Sequence, residues 1–198
     1  MRTEFPSDAV IADLGSGSGD ALAACTAVRR IPGVGIDLST AAARHAARRF
    51  PHLTWVVANA DRRLPFIDEG LWMILSLHGR RNPKECARVL TSGGMLLVAV
   101  PAAGDLLELR THVQGQHVER SRVDMLVKEH QPFFKVVERF SVREQHTLGH
   151  ASLKDLLQST YRGERSSADE RVASLPTMRV TLASDCVVFA PLRRRGRQ

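Results

Sequence analysis

The stretch Val10-Ile11-Ala12-Asp13-Leu14-Gly15-Ser16-Gly17-Ser18-Gly19-Asp20 decides how the rest of the chain is read. An apolar run ends in an acid, and three glycines follow on alternate positions. The next residues, Ala21-Leu22-Ala23-Ala24-Cys25-Thr26-Ala27-Val28, suit a helix. Strand, loop and helix in that order make a turn that a ligand can approach closely. Glycine tolerates positive φ and has no Cβ to block the approach. The helix start offers free N–H groups to a negatively charged group. The turn therefore predicts a nucleoside-bearing ligand near the start of the chain, and spacing narrows which one.

A dinucleotide fingerprint needs glycine three residues after Gly17, and a P-loop needs Gly-Lys-Ser/Thr. The first has Asp20 on the third glycine's place, counted from Gly15, and the second is absent. The pattern Asp13-x-Gly15-x-Gly17-x-Gly19 resembles the first motif of the class I methyltransferases that use S-adenosylmethionine. That resemblance implies that the loop N–H groups of Gly15, Ser16, Gly17 and Gly19 face the cofactor's methionine carboxylate. It also implies that Asp13 takes the ammonium, directly or through water. A tight strand–helix turn with no ligand is the alternative.

The 198 residues are enough for one domain with a full core. The expectation is a single domain over residues 1–191 and a basic, solvated tail over 192–198, where Arg193-Arg194-Arg195-Gly196-Arg197 lies. Three cysteines, Cys25, Cys86 and Cys186, stand far apart. They support neither a disulfide framework nor a cysteine-rich zinc site, so a reducing, cytoplasmic setting is expected. No apolar run reaches the roughly 18 residues of a membrane span, and the N-terminus lacks a signal-peptide pattern. The formal net charge of +7 favours a polyanionic partner such as RNA.

Strands and helices alternate through the first half. Strands are expected over residues 9–14, 33–37, 53–57, 71–76 and 95–100. Helices are expected over 20–30, 39–50 and 83–90, with Ser39 as an N-cap and Pro83 in a first turn. Ser92-Gly93-Gly94 reads as a turn. Continuous apolar strands between helices indicate a parallel sheet covered on both faces. Further on, helices are expected over 103–112, 152–161 (capped by Ser152) and 167–175, with strands over 136–142 and 178–191. The segment 114–130 is ambiguous. The fold class is α/β, a doubly wound Rossmann-like sheet of about seven strands. It is mostly parallel and closes on an antiparallel C-terminal edge pair, as class I methyltransferase sheets do.

Asp37 follows the second strand at about the distance from the glycine loop where an acid meets a ribose. Its carboxylate can accept from both hydroxyls, with Leu38 beside it. Ala58-Asn59-Ala60-Asp61, then Leu64-Pro65-Phe66, is similar to the class I segment in which an acid accepts from the adenine amino group and the next N–H reaches the ring. Asn59 stands in the acid's place, its amide oxygen still able to accept, and Ala60 follows. Asp61 is the alternative acceptor. The fourth strand ends in Leu75-Ser76-Leu77-His78-Gly79. The resemblance places Leu75 at the cofactor and His78 toward the substrate, as a base or a binding group. Arg88-Val89-Leu90-Thr91-Ser92-Gly93-Gly94 matches a turn of the same family and reads as structural. His112 and His117, with Asp124 or His130, could be imagined around a metal, but methyl transfer from a sulfonium needs none and no metal is expected.

Residues 50–58 and 63–66, then Pro101 with Leu106-Leu107-Glu108-Leu109-Arg110, and Leu156-Leu157-Gln158-Ser159-Thr160, resemble the bacterial 23S ribosomal RNA (guanine-N1-) methyltransferases. The likeness runs from about Val10 to Pro191. It implies rRNA methylation with S-adenosyl-L-methionine as cofactor and ribosomal RNA as partner. That family carries an N-terminal zinc-binding module and a helical linker, whereas about nine residues precede the first strand here. A shortened homologue, a fragment and an enzyme of another substrate stay open. So do three functions: an RNA methyltransferase, a small-molecule methyltransferase, and a non-catalytic cofactor- or partner-binding module. RNA could also be held electrostatically along Arg80, Arg81, Arg110, Arg120 and Arg122 without base reading.

Overall fold

The apolar run after Ala9 forms a short buried strand, β1 (Ile11–Leu14), in a computed structural model that describes residues 6–27, 30–114, 122–159 and 177–192. Two compact units are present, one of residues 1–100, 123–140 and 186–198, the other of residues 101–122 and 141–185. The expected helix at 167–175, the basic tail from Arg193, His117 and Arg120 lie outside the described residues.

The glycine loop leads from β1 into α1 (Asp20–Ala27). Then come β2 (Gly33–Asp37), α2 (Thr40–Arg49), β3 (Thr54–Val57), β4 (Leu71–Leu77), α3 (Pro83–Val89) and β5 (Leu90–Pro101). Ser39 caps α2, its hydroxyl accepting from the Ala42 N–H at 3.2 Å. Asn82 caps α3, accepting from the N–H groups of Lys84 and Glu85, with Pro83 in the first turn. The later elements are α4 (Leu107–Gln114), α5 (Val123–His130), β6 (Phe134–Gly149), α6 (His150–Ser159) and β7 (Thr177–Pro191).

The strands make one seven-stranded sheet in the order β3-β2-β1-β4-β5-β7-β6, parallel except at the β5-β7-β6 edge. Parallel registers align Asp13 with Gly35 on one side and Leu75 on the other, and Asp37 with Val57. The order reverses between β1 and β4, so a crevice opens where those strands end. Alternation divides the first unit's core between the two sheet faces. Ala12, Leu14, Ile36, Ile74 and Val98 pack with Leu126, Phe134 and Phe189. Ile11 and Leu75 pack with Leu22, Leu53 and Trp72. In the second unit, Leu106, Leu109, Leu153 and Val180 form their own cluster. There Glu108 accepts from the N–H and hydroxyl of Thr181, tying α4 to β7.

Several local expectations are corrected. Ser92-Gly93-Gly94 is no turn between elements but an excursion inside β5. Leu71 pairs with Leu90 and Met73 with Met95, so β5 bulges opposite Trp72. A side chain at Gly94 would press on the Trp72 carbonyl. Ser152 sits inside α6 and does not cap it, and α4 starts at Leu107, later than expected. The ambiguous 114–130 segment contains α5. Among the described residues no helix is long and apolar enough to cross a membrane.

Arg88 is structural, as expected. Its guanidinium donates to both Glu85 carboxylate oxygens, to Asp68, and to the carbonyls of Leu64 and Phe66. Glu85 in turn accepts from the Leu64 N–H at 2.9 Å. The side chains of Arg88 and Glu85 are only 14% and 15% exposed. Removing one partner of a mostly buried, hydrogen-bonded pair strands the other. Arg88→Ala is therefore expected to lower unfolding stability by about 3 kcal/mol, read from urea denaturation.

Candidate functional site

The three loop glycines all adopt positive φ: Gly15 at 77°, Gly17 at 52° and Gly19 at 85°. Each serves a different neighbour. A Cβ on Gly15 would stand 3.0 Å from the Gly79 Cα, so the loop after β1 meets the turn after β4 backbone to backbone. A Cβ on Gly19 would run into the Trp55 indole, which also fills the space over Gly35. Gly17 has nothing within 4 Å. Only this middle glycine faces open space, where a ligand could come close.

Beside it lies a cleft of about 210 Å³ walled by Gly15, Ile36, Asp37, Leu38, Ala58, Asn59, Ala60, Asp61 and Arg80. Strands β1, β2 and β3 end here in register, which is why residues far apart in sequence share it. Asp37 stands at the centre. Its Oδ2 accepts from the Gly17 N–H at 2.9 Å and its Oδ1 from the Ser39 N–H at 2.8 Å. The carboxylate thus fixes the glycine loop and the start of α2 together, and each oxygen keeps capacity for a further donor. Leu38 is 70% exposed at the cleft edge, an apolar face offered to solvent. Asn59 Oδ1 accepts from the Asp61 N–H at 2.9 Å, which folds the Asn59–Ala60 segment into a local turn. Asp61 pairs with Arg80 at 3.2 Å across the cleft wall.

Asp13 lies behind the loop and is 2% exposed. No hydrogen-bond donor among the described residues reaches its carboxyl. Burial, and then the charge of Asp37, push its pKa up to about 7. The Ser16 hydroxyl is also buried and without a partner. A buried carboxyl and a buried hydroxyl, both without a partner among the described residues, leave polar atoms free to take one.

One residue expected at the cofactor sits elsewhere, and the one expected toward the substrate stands outside this cleft. Leu75 is wholly buried in the core with Ile11 and Leu22 and lines no part of the cleft. It occupies the inward position of a central strand. His78 is exposed, just past the end of β4, and is not a cleft wall residue. Its φ of 60° is unusual for a side chain larger than glycine. Its N–H donates to the Ala99 carbonyl at 2.9 Å, which holds that conformation. Of the arginines read as an RNA-facing set, Arg122 is exposed, while Arg81 is partly buried and bonded inward.

Sequence reading missed Gly79 and Trp55 as parts of the site and did not place Arg80 at the cleft. Gly79 carried a signal, being a glycine two residues past the end of a central strand. So did Gly35, since glycine inside a strand marks close approach of another group.

A methyltransferase domain family matches residues 11–94. The chain is 30% identical over 187 residues to the 23S rRNA (guanine(748)-N(1))-methyltransferase of Streptomyces fradiae, covering 92% of this chain and 67% of that protein. It spans 34% and 46% of two further curated relatives. Among solved structures, the YcgJ protein from Bacillus subtilis superposes with a TM-score of 0.64 at 14% identity, over 98% of this chain and 95% of that one. The geranyl diphosphate C-methyltransferase of Streptomyces coelicolor A3(2) gives 0.61 at 13%, over 96% and 76%. These two likenesses speak to the fold.

The Asp13 pKa has a stability consequence of definite sign. Unfolded, the carboxyl ionises near 4, whereas folded it keeps its proton to about 7. Its contribution is fully present below pH 4 and is lost as pH rises through about 7. Asp13→Asn, a neutral isostere, is expected to flatten that fall and to be the more stable chain above pH 7. Urea midpoints measured from pH 4 to 8 test this.

Proposed function

Because the chain belongs to the family of the 23S rRNA (guanine-N1-) methyltransferases, we propose that it is an S-adenosylmethionine-dependent enzyme that methylates N1 of a guanine in ribosomal RNA. The observation that carries the reading is the Asp37 cleft with Asp13 and Ser16 behind it. One side offers acceptors for hydroxyls, the other a buried carboxyl suited to a cation. A nucleoside linked to an amino acid has both needs.

When bound, the cofactor supplies a methyl group activated on a sulfonium. Everything else falls to the chain's own residues. Asp13 takes the ammonium; gaining a cation offsets the burial that raises its pKa. The Ser16 hydroxyl finds its partner at the same end. Asp37 accepts from the ribose hydroxyls on the lone pairs that Gly17 and Ser39 leave open. Leu38 covers an apolar ring face, and Asn59 and Ala60 meet the adenine edge, with Asp61 as the second acceptor. His78, exposed at the β4 exit, receives the proton that leaves guanine N1. Holding donor and acceptor in line supplies much of the rate. A net charge of +7 supports a polyanionic acceptor, and free Cys25, Cys86 and Cys186 suit a reducing, cytoplasmic setting.

Calorimetry with S-adenosylhomocysteine should show one site on the intact chain. Asp37→Ala should weaken it by about tenfold or more, the loss of a charge-assisted hydrogen bond. Binding absent from the wild-type chain would leave a partner-binding module instead. With radiolabelled cofactor, label should enter ribosomal RNA and be recovered as 1-methylguanine, with RNA affinity falling steeply as salt rises. Label found only in a small-metabolite extract would move the acceptor to a small molecule.

A further inference from the structure

His130 is wholly buried, and the chemistry proposed above does not use it. It ends α5, with its ring stacked on Phe189 at 4.8 Å between centroids and 19° between planes, and Phe134 alongside. Nδ1 lies 2.8 Å from the Leu126 carbonyl, and Nε2 lies 3.1 Å from Arg81 Nε. A guanidinium can only donate. Nε2 must therefore accept, and the ring's single hydrogen sits on Nδ1, donating to Leu126. The histidine is neutral. Burial above all, helped by the Arg81 charge, lowers its pKa to about 4 against the opposing pull of the Leu126 carbonyl.

Arg81 is itself partly buried, and none of the ion pairs among the described residues includes it. Its Nη1 donates to the Gly79 carbonyl at 3.1 Å. Ser76 Oγ donates to the same carbonyl at 3.3 Å. A partly buried cation held by two neutral acceptors is a costly arrangement. What it holds is the turn that carries His78 and abuts the cofactor loop. A side chain on Gly79 would strike the Leu14 carbonyl, and Gly15 packs on its Cα.

We propose that Arg81 and His130 are a positioning pair: His130 aims the guanidinium at the Gly79 carbonyl, and that bond sets the β4-exit turn against the glycine loop. Cofactor affinity then depends on two residues that line no part of the cleft. The inference rests on the methyltransferase reading, and its test has one arm that does not.

Three variants separate the roles. His130→Phe keeps a ring on Phe189 and loses the acceptor. His130→Gln keeps an acceptor and loses the stack. Arg81→Met keeps the apolar stem and loses both donors. Amide hydrogen exchange is read at His78, bonded to Ala99, and at Gly15, bonded to Ile36. S-adenosylhomocysteine affinity is read by calorimetry. His130→Phe and Arg81→Met should speed exchange at both amides and weaken binding by about three- to thirtyfold, the range for changes acting through a packed network. His130→Gln should stay nearer the wild type in both. The Phe/Met double variant should be little worse than either single one, because each breaks the same link. Folded variants with wild-type exchange and wild-type affinity overturn the pair. If the wild-type chain binds no cofactor, the function fails while the exchange arm still decides: faster exchange supports the pair, and unchanged exchange overturns it.

Discussion

Gly15 and Gly79 meet backbone to backbone where β1 and β4 end, and no side chain fits at either position. That contact lies at the point where the strand order reverses, the place in an open parallel sheet where a crevice forms. It sets how far the glycine loop can rise from the sheet. Asp37 then fixes the loop from the other side through the Gly17 N–H. With both ends held, Gly17 alone is left facing open space. The loop is thus rigid by construction and open at one residue.

Two carboxylates share this corner and differ in their surroundings. Asp37 is stabilised by two backbone N–H groups. Asp13 has burial and a like charge, both of which favour its protonated form. The difference suits them to different partners: neutral hydroxyls for one, a cation for the other. Around α3, Arg88 and Glu85 likewise tie the segment after β3 to the helix.

Much of this was legible in the sequence because the signals were local. Asp13 and the glycines carry their own turn, Ser39 its own cap, and the first five strands their own apolar runs. Asp37 and Asn59–Ala60 were found by spacing and resemblance, and parallel register does bring them to one cleft. The misses share a physical cause. Leu75 lies near the end of its strand, and only the pleat decides that it points into the core. The Ser92-Gly93-Gly94 excursion looks like a turn because its chemistry is that of a turn; only pairing with β4 shows that the strand continues. α5 does carry an apolar stripe at helical spacing, Val123, Leu126 and Val127, but the polar run before it obscures the stripe in the sequence, and Leu126 and His130 pack on residues distant in sequence. The roles of Gly79, Trp55 and Arg81 depend on neighbours that no single segment contains.

The proposed function requires that the Asp37 cleft, open at Gly17, receive the cofactor. Mapping backbone amide NMR shifts on titration with S-adenosylhomocysteine tests it most directly. The largest shifts are expected at residues 15–17, 37–39 and 59–61, with smaller ones spreading to 78–80. Saturable shifts confined to another surface, or none at millimolar ligand, would contradict it.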